Sequence, residues 1–99
     1  MVPRTIEFHP EARDEFLAAV TYFEERRPGL GATFLTRIEA TVQRAADAPA
    51  TGTPMGNELR RLFVRRFPYY VLYASDAERL RIIAVAHFRR RPGYWRHRR

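Results

Sequence analysis

The sequence predicts an α+β domain: an N-terminal helical hairpin packed on one face of a mostly antiparallel four-stranded sheet, in the order β-α-α-β-β-β. Three observations carry this. Residues 10–47 hold two stretches of helical periodicity, broken only by Pro28-Gly29. Residues 59–88 hold three short runs of β-branched and aromatic residues divided by turn residues. The last run, Leu80-Arg81-Ile82-Ile83-Ala84-Val85-Ala86, is almost continuously apolar, as in a strand buried on both faces at the centre of a sheet.

Thr5-Ile6-Glu7-Phe8 alternates, and a first strand is expected over 5–9. Pro10 suits the first turn of a helix, and Glu11, Asp14 and Glu15 suit its positive end. Ala12, Phe16, Ala19, Val20 and Phe23 then recur at helical spacing, so this helix is expected over 10–27. A second helix over 30–47 carries the stripe Phe34, Leu35, Ile38, Val42 and Ala45. Two helices joined so closely must lie antiparallel. Residues 48–58, with two Pro and two Gly, predict a loop. Strands follow over 59–66, 69–74 and 79–88, and residues 89–99 form a basic tail.

At 99 residues the chain makes one domain. It has no apolar run long enough for a bilayer, and residues 1–16 lack the apolar core of a signal peptide, so no membrane association and a cytoplasmic location are expected. There is no Cys, hence no disulfide framework or thiolate metal site. The net charge is +7 and every one of the eighteen basic residues is Arg. Residues 1–58 carry six Arg and nine acids; residues 59–99 carry twelve Arg and two acids. The C-terminal half therefore expects a polyanion, either nucleic acid or an acidic protein.

His9, His87 and His97 are scattered, no paired-carboxylate spacing exists, and no Gly-rich loop follows a strand. No metal and no small-molecule cofactor are expected. What remains is His87 with Arg60, Arg61, Arg65, Arg89, Arg90, Arg91 and Tyr94. RNA carries its own nucleophile in the 2′-OH. A metal-free ribonuclease needs a base for that proton, cations for the phosphate charge and an acid for the leaving oxygen. Tyr94 or Trp95 would stack on a splayed base. The same arginines and aromatics serve binding equally well, and a lone His at a strand end is at least as often structural.

The element order, Leu59-Arg60-Arg61-Leu62-Phe63-Val64, Phe67-Pro68-Tyr69-Tyr70-Val71-Leu72-Tyr73, and Ala84-Val85-Ala86-His87 with Arg89-Arg90-Arg91-Pro92-Gly93-Tyr94-Trp95 together resemble the RelE/ParE toxin superfamily. The resemblance covers nearly the whole chain and is most specific in the last segment. It implies the toxin of a type II toxin–antitoxin (plasmid stabilisation) pair, neutralised by a cognate antitoxin. RelE-like members cleave ribosome-bound mRNA without metal; ParE-like members poison DNA gyrase. By this likeness a ribonuclease would use His87, Arg61, Arg90 and Tyr94. Arg60, Arg65, Arg66, Arg89, Arg91 and Trp95 would face nucleic acid or another target. Where RelE-like enzymes have Tyr-Arg, this chain has Tyr69-Tyr70, so a transition-state cation is missing. That departure and the long hairpin with its acidic first helix favour the ParE-like branch and a gyrase inhibitor. Alternatives are a RelE-like endoribonuclease and a non-toxic basic RNA-binding module. The partner implied by charge and core is an antitoxin tail rich in acids and leucines, folding into grooves between helix and strand.

Overall fold

The computed structural model describes residues 3–98. Strand β1 (Thr5–Phe8) leads into helix α1 (Pro10–Arg26) and helix α2 (Leu30–Asp47). A 3-10 turn at Pro49–Thr51 follows, then β2 (Thr53–Pro54), β3 (Arg60–Phe63), β4 (Tyr69–Ser75) and β5 (Arg79–His87).

His9 starts α1 with a side-chain cap, its Nδ1 accepting the Glu11 N–H at 3.1 Å, and Pro10 occupies the first helical turn. At the joint, the Glu24 carboxylate accepts the N–H groups of Gly29 at 3.0 Å and Gly31 at 3.1 Å, so α1 caps α2. Gly31 permits the close crossing, because a Cβ there would lie 2.7 Å from the Val20 carbonyl.

The sheet runs β1-β5-β4-β3-β2, with β1 parallel to β5 and the remaining neighbours antiparallel. The expected four strands become five, and the sheet is mixed. The additional strand lies inside the stretch read as loop. It pairs only Thr53 with Arg61 and Pro54 with Arg60. Two residues are too few to show a period, and Pro is tolerated at this edge because it has no N–H to lose from the ladder. Strand β5 is interior, with β4 at the centre. Several ends are shorter than expected: β3 stops at Phe63 and β5 at His87.

Two cores flank the sheet. On the helix side, Phe34, Ile38, Val42 and Ala45 meet Leu62, Val64, Val71, Tyr73, Leu80, Ile82 and Val85, with Phe16, Phe23, Phe67 and Tyr69 packed around them. On the opposite face, Leu59, Tyr70, Leu72, Ile83, Ala84 and Ala86 are covered by Trp95. The segment read as a basic tail thus buries the second face of β5. Its described residues turn back through bonds from Arg90 N–H to His87 O, Tyr94 N–H to Arg91 O and Arg98 N–H to Trp95 O. Arg99, the last residue of that tail, lies outside the described residues.

Strand β5 also carries a bulge. Leu72 pairs with Ala84 but Tyr73 pairs with Ile82, so Ile83 is an extra residue. Before it, Leu80 and Ile82 face the helices; after it, Val85 and His87 do. Uninterrupted alternation would have turned His87 to the other face.

Candidate functional site

The bulge directs His87 into a groove of about 660 Å³ between α1 and the end of the sheet. Its floor and walls are Ala18, Ala19, Tyr22, Phe23, Tyr69 and Val85, and Glu15, His87 and Arg90 stand at its polar rim. The His87 ring meets Tyr69 edge-on, with centroids 5.1 Å apart. Its Nδ1 accepts the Arg89 N–H at 3.0 Å, which leaves Nε2 to carry the proton of the neutral ring. Burial holds the Tyr69 phenol above its ordinary pKa, so it stays a neutral wall of the groove.

Next to the groove lies a polar network centred on Glu15. Strand β1 ends at Phe8, and its last ladder bond runs from the His9 N–H to Ile82 O. Beyond that point the edge of β5 needs other partners. Glu15 Oε1 accepts the Val85 N–H at 3.1 Å, and Arg98 Nη1 donates to Ile83 O at 3.2 Å. The two side chains then close on each other, Arg98 reaching Glu15 at 2.8 and 3.0 Å. Arg98 also reaches Glu11 at 2.8 Å, and His97 Nε2 lies 2.8 Å from the same carboxylate. Glu11 and Glu15 share a face of α1 because they are one helical turn apart.

Burial opposes the charge on Arg98, but its bonds to Glu15 and Glu11 outweigh that and raise its pKa. The hydrogen bond from His97 lowers the pKa of Glu11, with Arg98 adding to it.

Tyr94 belongs to this network. Its OH donates to Glu15 Oε2 at 2.7 Å, and burial together with that carboxylate raises its pKa strongly. The guanidinium of Arg90 sits 3.8 Å over the Tyr94 ring, with Nη1 3.8 Å from Glu15. His87 and Arg90 are therefore brought together at the groove. Tyr94 stands beside them with its OH engaged.

Arg61 does not join them. Residues alternate along β3, so Leu62 faces the helices and Arg61 the opposite side. There its guanidinium lies 5.0 Å over Phe63 and 5.4 Å over Tyr70. Arg60, on the helix side, is drawn to the 3-10 turn, donating to Gly52 O at 2.7 Å. Arg65, Arg66, Arg89 and Arg91 are exposed. Trp95 is only 6% exposed, and its Nε1 donates to Tyr70 OH at 3.2 Å. The indole expected to stack on a ligand is instead a core residue, because the turn at Pro92-Gly93 folds it under the sheet.

Glu11, Glu15, His97 and Arg98 were missed. Helical spacing puts both acids on one face of α1, but nothing local points to a partner 83 residues away at Arg98. Among the described residues no group of three or more His, Cys, Asp or Glu is placed to hold a metal ion. Nor is any helix among the described residues long and apolar enough to cross a membrane.

The fold is similar to that of a solved chain of the chromosomal ParDE toxin–antitoxin system from P. aeruginosa, with a TM-score of 0.74 and 14% sequence identity, covering 85% of this chain and 95% of that one. In sequence, the chain is 27% identical over 85 residues to Toxin ParE2 of Mycobacterium tuberculosis strain CDC 1551, across 85% of this chain and 81% of the relative. Toxin ParE2 of strain H37Rv matches equally. The family model for the ParE toxin of type II toxin–antitoxin systems, parDE, matches residues 6–92. The chain belongs to the ParE toxin family, the branch of the superfamily favoured by Tyr70 and the helical hairpin.

Proposed function

We propose that this ParE-family chain arrests growth by binding DNA gyrase in the cytoplasm, without chemistry of its own, and is neutralised by a cognate antitoxin. The observation that supports binding over catalysis is the separation of the candidate reacting groups. Arg61 and His87 lie on opposite faces of the sheet, and the Tyr94 OH is held by Glu15. General acid–base work on one phosphate needs these groups within reach of the same atoms.

The antitoxin reading rests on the groove over His87. It is largely apolar, opens to solvent and is rimmed by Arg90. An acidic, leucine-bearing segment that orders on binding matches that surface. Its affinity should fall as salt rises.

The test is a supercoiling assay with purified protein, run beside induction in cells with message integrity read out. Inhibited supercoiling with intact message is expected. Untouched supercoiling at growth-arresting doses, with cleaved ribosome-bound message, would overturn the reading. It would favour the ribonuclease alternative, which rests on His87 and Arg90 sharing the groove rim. In that case His87→Ala should abolish cleavage. Normal growth on induction would leave only a basic RNA-binding module.

A further inference from the structure

We propose that the free edge of β1 is an interface with a second copy of this chain, the two β1 strands pairing antiparallel about Ile6. This goes beyond the gyrase reading and does not depend on it.

The sheet ends in two edges that are built differently. Strand β2 closes one edge with two residues, and one of them is Pro54, which has no N–H to offer a new strand. Strand β1 forms the other edge with Thr5-Ile6-Glu7-Phe8, a run without Pro or bulge. Its one charged residue, Glu7, already has Arg79 at 3.8 Å.

The ladder decides which backbone groups of this edge are free. The Thr5 N–H donates to Glu78 O and the His9 N–H to Ile82 O, each at 2.8 Å. Strand bonding alternates, so Thr5, Glu7 and His9 bond inward to β5, and the N–H and C=O groups of Arg4, Ile6 and Phe8 point outward. Pro3 falls on the inward set, so its missing N–H leaves the outer edge intact.

The side chains mark the same edge. Ile6 and Phe8 stand opposite Leu80 and Ile82, on the helix side of the sheet. Ile6 is 37% exposed, and beside it lies a depression of about 270 Å³ lined by Ile6, Phe8, Phe16, Ile38 and Val42. A strand added here continues the sheet and lays its helix-side residues over that depression.

The edge is complementary to itself. A second copy centred on Ile6 sets Ile6 against Ile6 and Arg4 against Phe8, all of them outward-bonding residues, with Thr5 against Glu7 between them. The two-fold axis then stands normal to the sheet, so both helix layers stay on one side and the two Ile6 side chains meet between two depressions. Centring on Glu7 instead would set like charges against each other. Strands this short bury little area, so the pairing belongs to the weak, micromolar class.

The test is sedimentation velocity of the full chain from low-micromolar to near-millimolar concentration. A monomer–dimer equilibrium is expected, and hydrogen exchange at the Ile6 and Phe8 N–H groups should slow as dimer forms. Ile6→Lys sets a charge against itself on the axis and should weaken the dimer about tenfold or more. Thr53→Lys, on the guarded edge, should leave the equilibrium unchanged. The chain has no Cys, so Ile6→Cys supplies a single thiol at the axis and gives a second readout. Opposed residues of such a pair have Cα atoms about 5.5 Å apart, within disulfide reach, so mild oxidation should cross-link the variant. Thr53→Cys should stay uncoupled. The proposal is overturned if the chain is monomeric at every concentration, if folded Ile6→Lys dimerises like wild type, or if the two cysteine variants cross-link at equal rates.

Discussion

The two sides of the sheet treat their arginines differently where β5 ends. On the helix side Arg98 is buried against Glu15 and Glu11, and Arg90 stands beside the same Glu15. On the opposite side Arg61 is held only by rings, and in the turns beyond β3 and β5 Arg65, Arg66 and Arg89 are exposed without an acid. The surplus of ten positive charges in residues 59–99 is therefore not one uniform patch. Part of it is structural, neutralised by acids of α1 that belong to the other half of the chain. What is left for a partner is Arg61 on the face without helices and the exposed arginines of the turns beyond β3 and β5. Net charge locates a polyanion site only after the internally paired cations have been removed from the count.

The change that breaks this contrast most is Glu15→Ala. It strands Arg98, which is 5% exposed, with Glu11, a carbonyl and the Tyr94 ring as its remaining partners. It also removes the acceptor of the Val85 N–H. Loss of one member of a buried pair costs about 3–5 kcal/mol. Urea denaturation should show a loss near the lower end, since Glu15 keeps some contact with solvent. A loss below about 1 kcal/mol would mean that water screens the pair as it does on a surface. Replacing Glu15 and Arg98 together by apolar residues should recover part of the loss, because no buried charge is then left alone.

Trp95→Ala tests the other side. The indole is the cover of the second core, and its removal should cost about 3–5 kcal/mol. Trp95→Phe should restore most of that in the same denaturation measurement. A small effect of the alanine change would mean that residues 89–98 do not cover this core.

How far the sequence carried depends on the range of each interaction. Both helices were legible almost to the residue, because their signals are local: Pro10 at the start, Pro28-Gly29 at the break, a helical stripe between. The three C-terminal strands were legible from alternation, as with Leu62 and Val64 against Arg61 and Phe63. The bulge at Ile83 was not. In an apolar run every residue suits either face, so nothing marks where the alternation slips, and the face taken by His87 follows from that slip. Strand β2 was too short to have a period. Trp95 read as a site residue because its neighbours are arginines, whereas its burial depends on Tyr70 and Leu72 from a different strand. Glu15 and Arg98 were opaque for the same reason. The family resemblance came from the pattern of whole segments and did not need these contacts.

The smallest expected effect sharpens the comparison through pH. Tyr94 donates its proton to Glu15 at 2.7 Å, and burial with that carboxylate holds its pKa well above the ordinary 10.0. In the unfolded chain the phenol ionises near its ordinary value; in the fold it keeps its proton. The unfolded state therefore binds fewer protons above about pH 10, and stability must fall as pH rises through that range. The contribution is complete below the unfolded pKa and is lost only on the alkaline side. Burial raises Tyr69 and Tyr73 in the same direction, so wild type should lose stability through three phenols. Tyr94→Phe keeps the ring beneath Arg90 but deletes the hydroxyl. Near neutral pH it should cost about 1 kcal/mol, the net worth of one hydrogen bond with a charged acceptor discounted for partial exposure. Above about pH 10 its stability should decline less steeply, so the two curves converge. Parallel curves would mean that Glu15 does not hold the phenol proton. The helix-side network would then reduce to its ion pair with Arg98, and the Tyr94 hydroxyl would again be available to the groove.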